Sequence, residues 1–236
     1  MQTWFESDVG RYVLAREQAW FDEVSADLFG FNAMQLGHCG VDTLRANRMP
    51  FRFCVAGEGG VLACLPEMLP IASQSLDLVT LPHALEFSDN PHALLREVDR
   101  VLRPEGRLLI SGFNPLSLWG MRRLLSRSGA GWPWNGRFIH LNRLKDWLAL
   151  LSFEMAGGRL TCYAPPIDRA AWLERFAFLE AAGDRWWAFG GGVYFLHAIK
   201  RVHGMRIIEA KWSERWRVNP VWAPTRRNTT QRDGLN

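Results

Sequence analysis

Residues 75–115 read SLDLVTLPHALEFSDNPHALLREVDRVLRPEGRLLISGFNP. Ser75 to Leu81 is a short apolar run bounded by Pro82, which predicts a strand. Asp89-Asn90-Pro91 predicts a helix start, with a capping side chain and then a proline in the first turn, where no amide donor is missed. Leu94, Leu95, Val98, Val101 and Leu102 follow at i, i+1, i+4, i+7 and i+8, one apolar helix face. Pro104-Glu105-Gly106 stops that pattern, and Arg107 to Gly112 reads as a second strand. Strand, helix and strand within this span predict a β-α-β unit with parallel strands.

The reading extends outward from there. Residues 9–29 predict an amphipathic helix ended by Gly30, with Val13, Leu14, Trp20, Phe21, Val24 and Leu28 at roughly helical spacing. Phe31 to Gly37 reads as a first strand entering a glycine turn, and Val41 to Arg48 as a short helix. Phe51 to Ala56 and Val61 to Leu65 read as strands around the turn Gly57-Glu58-Gly59-Gly60. A parallel connection needs roughly a dozen residues, so residues 51–65 are expected to form an antiparallel hairpin or a reduced sheet edge. Helices are predicted at 141–151 and 169–182, and strands at 158–163 and 192–202. The fold class is α/β, a doubly wound Rossmann-like sheet. The expected organisation is an N-terminal helix (1–30), a central domain (31–210) and a basic tail (211–236).

The chain has 236 residues, 48% hydrophobic and 22% charged, which excludes disorder throughout. No apolar run reaches membrane-spanning length. The N-terminus, MQTWFESDVGRYVLAREQ, lacks the basic-then-apolar order of a secretory leader, so a cytoplasmic protein is expected. Residues 200–236 hold nine basic and three acidic residues, so the basic balance comes from the tail. Cys39, Cys54, Cys64 and Cys162 show no metal-ligand spacing and are expected to be free thiols, with no metal site.

The run 75–115 resembles class I S-adenosylmethionine-dependent methyltransferases of the type 11 kind. Three motifs carry the resemblance: Asp77-Leu78-Val79, His83-Ala84-Leu85-Glu86-Phe87 and Arg100-Val101-Leu102-Arg103-Pro104-Glu105-Gly106. Phe87 replaces a histidine and Glu105 a glycine of the family pattern. The family's glycine motif falls on Gln35-Leu36-Gly37-His38-Cys39-Gly40-Val41, where its acid is a neutral glutamine and only Gly37 lies on a glycine position. The ribose-binding acid would be Glu58, and the adenine-side acid falls on Leu65. The resemblance implies S-adenosylmethionine as cofactor, contacted around Gln35, Gly37, Gly40, Pro66, Leu81, Pro82 and His83.

It also implies a small-molecule methyl acceptor, with no residue marked as catalytic. Two other readings remain open: a catalytically inactive methyltransferase-like binding or regulatory module, and an RNA-associated methyltransferase. The RNA reading would dock through the tail residues Trp212, Arg215, Trp216, Arg217, Trp222, Arg226 and Arg227. Asn114 reads as a loop cap near the substrate mouth. Trp132, Trp134, Trp172, Trp186 and Trp187 read as core or lid packing.

Overall fold

The β-α-β unit forms where the sequence places it. The computed structural model describes residues 2–37, 41–55, 64–126, 131–180, 183 and 189–202. Strand β3 (Leu76–Pro82) leads through helices α3 (Ala84–Phe87) and α4 (Pro91–Val101) to β4 (Leu102–Phe113), which pairs with β3 in parallel. Asn90 caps α4: its side chain accepts from Ala93 N at 3.1 Å, with Pro91 next in the chain. Asn90→Ala is expected to cost about 1 kcal/mol, measured by urea unfolding. An unchanged midpoint would deny the cap its role. Leu94, Leu95, Val98 and Val101 are fully buried on α4. Each such side chain contributes roughly 1.5–3 kcal/mol against exposure.

The remaining described elements complete a sheet between two helical layers. They are α1 (Gln2–Phe5), α2 (Asp8–Ala26), β1 (Asn32–Leu36), β2 (Phe51–Val55), α5 (Leu118–Leu125), α6 (Leu141–Leu150), β5 (Phe153–Thr161), α7 (Ala170–Arg175) and β6 (Val193–Lys200). The strand order is β2-β1-β3-β4-β6-β5. Strands β1 to β4 pair in parallel, while β6 runs antiparallel to both β4 and β5. Side chains alternate between the faces, apart from register shifts at Leu76/Leu78 in β3 and Met155/Gly157 in β5. Met34, Val79, Leu81, Leu108, Ile110, Leu196 and Ala198 share one core with α4 and α6. Ala33, Leu78, Leu109, Val193 and Phe195 share the other with α2 and Trp119 of α5.

Several local expectations change. Residues 41–48 form turns, not a helix. Their polar side chains bind backbone groups and compete with helical pairing. Asp42 accepts from Leu44 N, and Asn47 Nδ2 donates to Ser25 O and Leu28 O. The first long helix stops at Ala26 with Asp27 as its cap, before Gly30. Strand β5 begins at Phe153, earlier than expected, and α7 ends at Arg175.

β2 lies at the sheet edge among the described residues, in parallel with β1. This matches the reduced edge expected there. The turn holding Glu58 and most of the second strand lie outside the described residues. Cys54 is disulfide-bonded, contrary to the four free thiols expected; Cys64 and Cys162 are free. Spacing along the chain carries no sign of such a bond, because pairing places Cys54 opposite Gln35, far away in sequence.

The chain divides into two units, Met1–His203 and Gly204–Asn236. The N-terminal helices belong to the first. The tail's aromatic and arginine residues lie outside the described residues, as do Trp186 and Trp187. No described helix is long and apolar enough to cross a membrane. Among the described residues no acidic, histidine or cysteine cluster is arranged to hold a metal.

Candidate active site

In an open parallel sheet, ligands bind beyond the carboxyl ends of the strands, where the strand order reverses. Here that point lies between β1 and β3, since the chain departs from β1 to β2 on one side and returns to β3 on the other. Gly37 follows β1 and His83 follows β3, so the fold brings both to this crevice.

Gly37 has φ +123°, a conformation that side-chain-bearing residues rarely adopt. Its N–H donates to Val55 O of β2 at 3.0 Å. A Cβ there would lie 3.1 Å from both Ala84 Cβ and Pro82 O. The β1 turn therefore lies tight on the β3 turn, and glycine permits it.

The neutral residue at position 35 has a physical explanation. Gln35 is buried; its Nε2 donates to Val41 O at 2.6 Å, and its Oε1 accepts from Thr43 N at 3.0 Å and from Thr43 Oγ1 at 2.7 Å. Thr43 Oγ1 also lies 2.6 Å from Thr80 Oγ1 on β3. One side chain thus both donates and accepts, tying the loop after β1 back to the sheet. An ionised carboxylate accepts only and would leave the Val41 carbonyl without its donor.

His83 has left-handed backbone geometry, φ +51°, and its imidazole is 3% exposed. Nε2 lies 2.5 Å from Glu17 Oε1 of α2, and Nδ1 lies 2.6 Å from Glu86 Oε2 of α3. The ring stacks on Phe113 at 4.2 Å, and Trp132 meets it edge-on at 5.9 Å. The other Glu86 oxygen accepts from Phe113 N, so the cluster also binds the end of β4. Burial alone would push the imidazole pKa down. The Glu17 and Glu86 carboxylates outweigh it and raise it to about 10. His83 is therefore an imidazolium at neutral pH. Burial pushes the Glu86 carboxyl up, partly offset by that imidazolium.

The other expected contacts are more scattered. Pro82 ends β3 beside the Gly37 turn. Leu81 is fully buried in the core beneath α4. Pro66 is half-buried, and its neighbour Glu67 accepts from Ser88 Oγ at 2.5 Å, holding this loop against the turn before α4. Gly40 lies outside the described residues. Asn114 caps a loop, donating to Phe189 O and Gly191 O and accepting from Leu116 N. Trp132 and Trp134 pack against the core beneath α2.

Sequence reasoning missed Glu17. A signal was present: Glu17 falls midway between Val13 and Phe21, at i+4 from each step, on the buried stripe of α2. An acid on an apolar stripe needs a buried partner.

Sheet order, crevice and the β3-α4-β4 unit together define the fold of the class I S-adenosylmethionine-dependent methyltransferases. Residues 39–110 match the family model described as Methyltransferase domain. An uncharacterized protein of Escherichia coli, YafS, is 37% identical over 139 residues, 58% of this chain and 56% of that protein. The chain thus spans little more than half of that relative's length. An uncharacterized protein of Mycobacterium tuberculosis, Rv2003c, is 29% identical over 214 residues, 85% of this chain and 71% of that protein. A solved S-adenosylmethionine-dependent methyltransferase from Thermotoga maritima superposes with a TM-score of 0.63 at 18% identity, covering 85% of this chain and 94% of that one.

Proposed function

We propose that the protein is an S-adenosylmethionine-dependent methyltransferase acting on a small-molecule acceptor, with its cofactor in the crevice between β1 and β3. The carrying observation is Gly37: a positive-φ glycine at the switch point, packed onto the turn that follows β3. When bound, the cofactor supplies a methyl group already activated by a sulfonium. The protein's part is to align the acceptor and exclude water.

The main chain at Gly37, Pro82 and His83 fits the cofactor as backbone that approaches closely. Pro66 supplies apolar surroundings, while Leu81 supports the site only from the core beneath α4. Gln35 acts by fixing the loop's shape through Thr43 and Val41.

The rival reading, an inactive scaffold, draws on that same Gln35, whose carboxamide bonds to the protein itself where the family has an anchoring acid. One measurement separates them. Calorimetric titration with S-adenosylhomocysteine is expected to give saturable heat. Gly37→Val puts a branched side chain where the backbone conformation is closed to it and against Ala84 and Pro82 O, so the turn must shift and affinity should fall roughly tenfold or more. Absence of heat with the unaltered protein would leave the scaffold reading standing.

A further inference from the structure

We propose that Glu17 accepts the proton of a neutral hydroxyl acceptor, a flat apolar alcohol of the phenol class, bound against His83 between Glu17 and Trp132. This rests on the methyltransferase reading above and adds the acceptor's chemistry to it.

Two buried polar atoms beside His83 lack partners among the described residues: Glu17 Oε2 and Trp132 Nε1. Glu17's side chain is wholly buried, and its other oxygen is held by His83. Trp132 presents its ring to the same imidazole. A buried polar group without a partner is costly, and such groups concentrate where a ligand completes them. Here one is an acceptor and the other a donor.

That pairing selects among acceptors. A carboxylate or phosphate would face two carboxylates offset by a single imidazolium, a net negative cluster. An ammonium has no lone pair for the Trp132 N–H. A hydroxyl can serve an acceptor and a donor together: its O–H would donate to Glu17 Oε2 and its oxygen would accept from Trp132 Nε1. The surroundings favour a flat ring, since Phe87 stacks on Trp132 at 5.8 Å and Phe113 stacks on His83.

The transfer balances. A bond forms between the hydroxyl oxygen and the methyl carbon. That carbon's bond to the sulfonium sulfur breaks, and the sulfur keeps the electron pair. The hydroxyl proton passes to Glu17 Oε2. His83, already protonated, cannot take it and serves as a positioning residue for Glu17. Trp4 and Phe5 lie on Trp132 at 4.5 and 4.7 Å, so an acceptor reaching Glu17 displaces the N-terminal helix that carries them.

The test uses the full chain saturated with S-adenosylhomocysteine and four naphthalene probes: 2-naphthol, 2-methoxynaphthalene, 2-naphthoate and 2-naphthylmethylamine, an ammonium at neutral pH. Calorimetry is expected to rank 2-naphthol at least about tenfold above the other three, because a site built for a hydroxyl rejects analogues that leave its groups unpaired. Glu17→Gln and Trp132→Phe should each erase most of that preference while S-adenosylhomocysteine affinity is retained. With S-adenosylmethionine, formation of 2-methoxynaphthalene from 2-naphthol should fall about a hundredfold in Glu17→Gln.

The proposal is overturned if 2-naphthoate binds best, or if naphthol and its methyl ether bind alike. It is also overturned if no probe binds although S-adenosylhomocysteine does, or if Glu17→Gln keeps full turnover. Failure of S-adenosylhomocysteine itself to bind would overturn the methyltransferase reading instead, and shows separately. Trp132→Phe keeps an aromatic ring at this position while removing the N–H together with the pyrrole part of the indole, so it remains informative if Glu17→Gln folds poorly.

Discussion

His83→Leu is expected to destabilise the protein by about 3–5 kcal/mol, the range for removing one partner from a buried charged network. Glu17 and Glu86 would then face each other in the core with no cation between them. The lost stacking on Phe113 adds to the cost. For a chain of this length the melting temperature should fall by about 6–20 °C. A loss below about 1 kcal/mol, the level of an exposed ion pair, would contradict the charged network drawn from the geometry.

The cluster also fixes the sign of a pH dependence. The His83 pKa is raised in the folded protein, from 6.5 to about 10. Its contribution is therefore complete below about pH 6.5 and disappears as pH rises toward 10. Other groups face the cluster. Glu86 is raised as well, first by burial, so its term has the same sign at lower pH. Cys162 and Tyr194 are raised well above 9 and 10 by burial, and their terms enter only once the unfolded thiol and phenol ionise. Between about pH 6.5 and 8.5 the slope thus belongs mainly to His83. Stability should decline across that window in the unaltered protein, as read by chemical unfolding at several pH values.

Trp119→Ala should cost a similar amount, about 3–5 kcal/mol. Its indole is fully buried in α5, stacks on Phe113 at 5.6 Å and donates to Ala164 O at 3.1 Å. Truncation leaves a large cavity under the aromatic cluster and removes the Ala164 carbonyl's donor. Gly192 is matched to this ring, since a Cβ there would lie 2.3 Å from Trp119 Cδ1. A methyl group on residue 192 should therefore destabilise the unaltered protein but be better tolerated in Trp119→Ala. Equilibrium unfolding of both single variants and the double variant measures this coupling. Additive losses would mean the glycine is not there for the indole.

Much of the fold was legible because it rests on local signals. The period of Leu94, Leu95, Val98 and Val101, the Asn90-Pro91 cap and the apolar runs at 76–81 and 107–112 each act within a few residues. They fix the β-α-β unit whatever packs around it. The Gly37 turn and its place opposite the His83 turn followed from the resemblance, and the strand order carries both to the switch point.

Residues 41–48 form turns although their pattern predicts a helix, because Asp42 and Asn47 bond to backbone groups, some of them on another element, which no helical period encodes. Gln35 looked like a lost anchor until its Val41 and Thr43 bonds showed why an amide is needed there.

The sequence by itself therefore determined the α/β class, the central β-α-β unit and the glycine turn, since neighbours along the chain decide periodicity, capping and backbone strain. Only the tertiary structure decided that His83 sits between Glu17 and Glu86, one of them 66 residues away. Charge pairing in a core depends on which side chains packing brings within 3 Å, and on the water that packing removes. Neither is written in the spacing of residues along the chain.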